Sequence, residues 1–145
     1  MSRIKIDLPD NFIFSTIIPI RITDINYSGH TGNDTILSLI HEARSQFLAS
    51  FGYTELDFEG YGTIMADVGI EYKKEIFYGE KVLASVAVAG FSKVSFDLYY
   101  KLEKEVDGKR IIVAKAKTAM VCFDYKNKRI NPVPEAAKQK LTAGA

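Results

Sequence analysis

Hydrophobic and polar positions change period several times along this chain, and each change marks an element. Ile64, Ala66, Val68, Ile70 and Tyr72 alternate with Met65, Asp67, Gly69, Glu71 and Lys73, a period of two that predicts a strand. The same alternation runs through Val82, Ala84, Val86 and Val88, and through Val94, Phe96, Leu98, Tyr100 and Leu102 set against Ser95, Asp97, Lys101 and Glu103. Residues 111–123 are apolar on both faces except at Lys115 and Lys117, and read as the last long strand. The gaps at 77–80, 90–93 and 106–109 are hairpin-sized, which predicts antiparallel neighbours in sequence order from 64 to 124. Upstream the period is helical. Ile36, Ile40, Ala43, Phe47 and Phe51 share one face and Leu37, Leu39 and Leu48 widen it, so the helix is expected to be nearly enveloped. Asn33 reads as its N-cap with Asp34 in the first turn, and Gly52 lies just past its end. Residues 15–23, rich in isoleucine around Pro19, predict a strand held at an edge or a bulge. Residues 1–13 read as a short edge strand or an ordered arm, and Pro132 to Pro134 introduce a short terminal helix.

A strand, a long apolar helix and four long strands are accounted for by one antiparallel sheet wrapped around one helix, an α+β fold with 1–145 as a single domain. A hydrophobic content of 47% is enough for one core. The edges and both faces of such a sheet cannot all be buried in so small a chain, so a homodimer or homotetramer is expected. Nineteen basic residues stand against eighteen acidic ones and are scattered, which argues against a nucleic-acid partner. Cys122 is the single cysteine, inside an apolar run, so an internal disulfide is excluded. With His30 and His41 it forms no recognisable ligand set, so no metal is expected. The first residues lack a signal-peptide core and no run reaches membrane-spanning length, which points to a cytoplasmic protein with no membrane partner.

Chemistry concentrates in the polar loop between the first strand and the helix. Asp24, Asn26, His30, Asn33 and Asp34 are packed around Gly29 and Gly32, so donors, acceptors and one titratable imidazole lie beside backbone that can be approached closely. A helix starting there aims free backbone N–H groups outward with its dipole behind them.

The run Asp24-Ile-Asn26-Tyr-Ser-Gly29-His30-Thr-Gly-Asn33, with Glu42-Ala43-Arg44 further along the helix, resembles the hotdog-fold acyl-CoA thioesterases of the 4-hydroxybenzoyl-CoA and acyl-carrier-protein thioesterase type. In that family a strand ends in Asp-x-Asp, followed by Gly-His-Val-Asn-Asn and a helix carrying Glu-Ala-Arg. Ile70-Glu71-Tyr72-Lys73-Lys74 followed by Tyr78-Gly79-Glu80 also looks like the family's second strand and its hairpin, so the likeness spans nearly the whole chain. It implies hydrolysis of a thioester on a small-molecule acyl-CoA or acyl-carrier-protein substrate, with no cofactor beyond the coenzyme A of the substrate itself. One residue departs from the pattern. The second aspartate of Asp-x-Asp, base or nucleophile in several members, is Asn26 here, and an amide takes no proton at neutral pH.

The resemblance then leaves Asp24, His30, Glu42 and Glu71 as candidates for the base, with Asn26 orienting water or binding a carbonyl. Each also has a plainer reading. Asp24 can hold the loop through backbone N–H groups, and His30 can serve only as a hydrogen-bonding loop imidazole. Glu42 on an enveloped helix would need a partner or a use, and Glu71 beside Lys73, Lys74 and Asp67 fits a solvated cross-strand ion pair. Gly29, Gly32 and Asn33 would bind the thioester, while Lys93, with Arg44 and Lys73, would meet the nucleotide phosphates. Two alternatives remain open. In the hydratase branch of the fold, Asp-x-Asn-Pro-x-His matches Asp24 and Asn26, but His30 is one residue too far and no proline follows Asn26. The other is a module that binds acyl thioesters without turning them over.

Overall fold

The computed structural model describes residues 1–144. In chain order it contains β1 (Phe14–Pro19), a 3-10 turn at Ile22–Asp24, α1 (Asn33–Ser50), β2 (Gly62–Tyr72), β3 (Lys81–Ala89), β4 (Ser95–Val106), β5 (Lys109–Asp124), β6 (Arg129–Ile130) and α2 (Glu135–Ala143). All sheet pairings are antiparallel, in the order β1-β3-β4-β5-β2, with β6 added to the end of β5.

This order corrects the expectation that strands 64–124 are neighbours in sequence order. β2 pairs with β5 at the far edge and does not touch β3 in the sheet. The segment between β2 and β3 is a crossover, and Ile76 shows why: it is 1% exposed, plugged into the core, and its carbonyl accepts Thr31 N–H at 2.8 Å. An apolar residue anchored under the helix start cannot belong to a simple turn. β1 ends at Pro19 and lies at the other edge, where a residue without an N–H costs no ladder bond. Residues 1–13 form an arm across the outer face of the sheet. Ile13 N–H donates to Val86, the Lys101 ammonium lies over the Phe12 ring, and Ile6 N–H donates to Glu71 Oε1 at 3.1 Å.

α1 contains no proline or glycine and packs Ile36, Leu39, Ile40, Ala43, Phe47 and Leu48 on the inner face of the sheet. Val86, Tyr100, Ala116 and Ile70 make one cross-strand row of that face, and the small Ala84, Ala114 and Ala116 let the helix approach. Each large side chain enclosed there contributes about 1.5–3 kcal/mol of apolar burial. Phe47 is fully buried and meets Phe14 and Phe51 edge to face. Gly52 at φ +81° ends the helix by turning Tyr53 N–H back onto Leu48.

Two expectations for α1 are corrected. Gly32, extended at φ −69° and ψ 158°, is the N-cap, and its carbonyl accepts Thr35 and Ile36 N–H, so Asn33 is already helical. Nor is the helix enveloped, since Asp34, Ser38, His41, Glu42, Ser45 and Ala49 are exposed along one open face.

Candidate active site

The loop from Asp24 to Gly32 is a tight hairpin built on an Asx turn. Asn26 Oδ1 accepts Ser28 N–H at 2.9 Å, Asn26 N–H donates to His30 and Gly29 N–H to Asn26. Gly29 sits at φ +85°, a left-handed conformation that glycine adopts without penalty. Ile25 and Thr31 pair across the base, which brings His30 and the start of α1 together. No side chain caps the helix, so the Asn33 and Asp34 N–H groups of its first turn stay available to an acceptor. A Cβ on Gly32 would lie 2.6 Å from Asp34 Oδ1, so glycine lets the Asp34 carboxylate fold back over the helix start, with the Asn26 amide nitrogen in ordinary contact at 3.6 Å.

His30 is half-buried, and its Nδ1 lies 3.0 Å from the Thr31 carbonyl oxygen. A carbonyl only accepts, so Nδ1 carries the hydrogen and Nε2 of the neutral ring keeps a free lone pair. That is the arrangement of a general base. His30, Thr31 and Asn33 line a cavity of about 190 Å³ whose floor is Ile36, Ile76 and Val113 and whose rim carries Tyr72, Lys73 and Lys74. The Tyr72 hydroxyl donates to the Asn33 carbonyl at 3.1 Å, tying β2 to the first turn.

Asp24 lies on the other side of the loop and is engaged there. Oδ2 accepts Arg21 N–H at 2.8 Å and Oδ1 accepts Arg21 Nη2 at 3.2 Å. Burial works to raise the carboxyl, but the Arg21 hydrogen bonds and charge outweigh it and hold Asp24 below the ordinary carboxylate range. A carboxylate so stabilised anchors the loop and is a poor proton acceptor. Asp24 and Glu42 border a separate groove of about 390 Å³ with Arg21, Ser38 and His41. Glu42 is exposed there and accepts Gln46 Nε2 at 2.9 Å, so no buried charge demands a catalytic explanation.

The remaining candidates are not brought to the loop. Glu71 belongs to the outer row Ser85, Lys101, Lys115 and Glu71, on the face away from α1. Its pair is not the expected cross-strand one, since Lys73, just past the end of β2, holds it at 2.7 Å and the arm's Ile6 N–H adds a bond. Both contacts, Lys73 first, keep it below the ordinary carboxylate range. Lys93 sits in the β3–β4 turn, where its carbonyl accepts Val133 N–H beside α2, which packs under the C-terminal end of α1 through Lys140 and Phe51. That is the opposite end of the helix from His30. Arg44 is 5% exposed and cannot meet a phosphate from the surface. Its Nε donates to Glu55 Oε1 at 2.5 Å and Nη1 to the Tyr100 hydroxyl at 3.4 Å.

A scan against family models matches residues 20–141 to the thioesterase-like superfamily. The chain belongs to that superfamily. It is a thioester hydrolase of the hotdog acyl-CoA type, as the loop motif implies. A relative from Microcystis aeruginosa, named 1,4-dihydroxy-2-naphthoyl-CoA hydrolase, is 30% identical over 84% of this chain and 88% of its own length. Among solved structures, a 1,4-dihydroxy-2-naphthoyl-CoA thioesterase from Synechocystis superposes with a TM-score of 0.78 at 17% identity, covering 89% of this chain and 95% of that one. A thioesterase-superfamily protein from Jannaschia reaches a TM-score of 0.82 at 18% identity, over 94% and 85% of the two chains. These structural likenesses establish the hotdog fold. No helix among the described residues is long and apolar enough to cross a membrane.

Thr31 was not singled out by spacing or charge. The signal was in the motif itself, because threonine stands where the hotdog thioesterase pattern Gly-His-Val has valine. Its Oγ1 is buried without a hydrogen-bond partner among the described residues. Such a hydroxyl costs about 1–3 kcal/mol relative to an apolar group of the same shape.

Proposed function

We propose that this hotdog thioesterase hydrolyses an aromatic acyl-CoA, with water activated by His30 at the first turn of α1. The observation that carries the reading is the committed Nδ1 of His30, which leaves Nε2 as the proton acceptor at an uncapped helix N-terminus. Nε2 takes a proton from water as the oxygen attacks the thioester carbonyl carbon. First-turn N–H groups and the helix dipole stabilise the resulting oxyanion. Collapse breaks the C–S bond, and the imidazolium returns the proton to the departing thiolate. Asn26, held by Ser28 N–H, orients the water from beside Gly32. The names of the curated relatives support an aromatic acyl group, and 1,4-dihydroxy-2-naphthoyl-CoA heads the substrates to be tried.

The enzyme acts in the cytoplasm as one hotdog domain and as a homodimer or homotetramer, without metal or cofactor. The open edge of β2, with Ile64, Val68 and Tyr72 partly exposed, supports association, and so does the open face of α1. Free thiol followed over a panel of aromatic and aliphatic acyl-CoAs, with the same acyl groups on carrier protein, tests the reading. Turnover of an aromatic acyl-CoA that survives EDTA is expected. Binding of acyl-CoA with no thiol released from any member would overturn it.

A further inference from the structure

Thr31 is fixed at both backbone ends. Its N–H donates to Ile76 at 2.8 Å and its carbonyl accepts His30 Nδ1 at 3.0 Å, so the residue cannot shift to find its hydroxyl a partner. The residue is 5% exposed, it lines the cavity between α1 and the crossover, and Oγ1 is the only buried side-chain polar atom among the described residues without a partner. Valine would fill the same space without that cost, so packing does not account for the hydroxyl. Donors beside it are the Asn33 and Asp34 N–H groups at the uncapped helix start, with His30, Lys74 and Glu75 also on the lining and the Lys73 ammonium held by Glu71. A carbonyl oxygen brought in by a ligand would give the hydroxyl an acceptor.

We propose that Thr31 is a substrate-binding residue, its hydroxyl donating to the thioester carbonyl oxygen beside the first-turn N–H groups. The proposal rests on the thioesterase reading above and adds a side-chain donor to the backbone ones. It gives the hydroxyl a partner in the complex that the free protein does not provide.

Thr31→Val and Thr31→Ser test it, on one acyl group carried by CoA and by N-acetylcysteamine, which keeps the thioester and removes every phosphate. The valine variant should melt higher by roughly 3–12 °C, because a buried hydroxyl without a protein partner is gone. It should lose roughly 10- to 100-fold in kcat/KM, equally on both thioesters. The serine variant should keep most of the rate. Full activity in Thr31→Val would overturn the proposal, and a loss confined to the CoA thioester would assign the hydroxyl to a phosphate instead. Should wild type hydrolyse no thioester, the thioesterase reading fails by itself. The hydroxyl is then judged by calorimetry with a ketone analogue of acyl-CoA, in which methylene replaces sulfur and the carbonyl remains. Binding roughly tenfold weaker in Thr31→Val, on the scale of one hydrogen bond, would sustain the assignment. Equal binding by the two proteins, or none by either, would end it.

Discussion

Replacing Asn26 with aspartate exchanges one amide nitrogen for oxygen in a loop already shaped for either group. Oδ1 goes on accepting Ser28 N–H, so the Asx turn is kept. The new oxygen faces the start of α1, where the Asn26 nitrogen now lies 3.6 Å from the Cβ position of Gly32. A negative charge near an uncapped helix N-terminus is favourable by about 0.3–1 kcal/mol, which is a rise of about 1–4 °C in Tm for a chain of this size. The carboxylate also stands where the family's pattern places its own, and can share with His30 the work of taking a proton from water. A positioned base contributes typically 10²–10⁴-fold, but His30 already supplies one, so the expected gain in kcat is about tenfold. Asn26→Ala removes both the turn bond and the oriented water, and should lower kcat about 10²-fold. Thiol release from an aromatic acyl-CoA, read with a melting curve for each variant, decides the matter. If Asn26→Asp stays folded yet falls as far as Asn26→Ala, the amide N–H is itself an essential donor and the reasoning is refuted.

Arg44→Ala should cost about 2–3 kcal/mol in denaturant unfolding, because it strips the buried guanidinium from Glu55 and Tyr100 while leaving a partly exposed Glu55 that water can reclaim. Asp24→Asn should lower stability at neutral pH by roughly 1 kcal/mol. Because the folded carboxyl is held below its ordinary value, its contribution is complete above the unfolded pKa and lost as pH falls through the folded one, so the Tm difference from wild type should close on acidification. Burial pushes the Cys122 thiol up to about 11, and the residue is fully enclosed, so the native protein should add no thiol signal to the hydrolysis assay until it is unfolded.

Local pattern carried much of this fold. The span of α1 followed from its helical period and Gly52, three of the long strands from alternation and the fourth from its continuous apolar run, since each of those signals acts over neighbouring residues. Sheet order did not follow, because the β2–β3 connection is short enough for a hairpin and only the burial of Ile76 reveals a crossover. For the site, the loop motif located His30, Gly29 and Gly32 together. It could not show that β2 turns Glu71 outward while Tyr72 reaches the helix start, because alternation separates the two faces without saying which one meets α1. The apolar count of α1 likewise concealed its open side and left Glu42 looking buried. Lys93 is basic and near a turn, but which end of the helix that turn faces is decided by the pairing of β3 with β4.

The central claim is that His30 Nε2 takes the proton from water. Its direct test is kcat for thiol release from one aromatic acyl-CoA by wild type, His30→Ala and His30→Gln, with a melting curve to show that each variant is folded. Both variants should be slower by at least about 10²-fold, since neither side chain supplies a ring nitrogen to take the proton. A folded His30→Ala protein that keeps wild-type turnover would contradict the account.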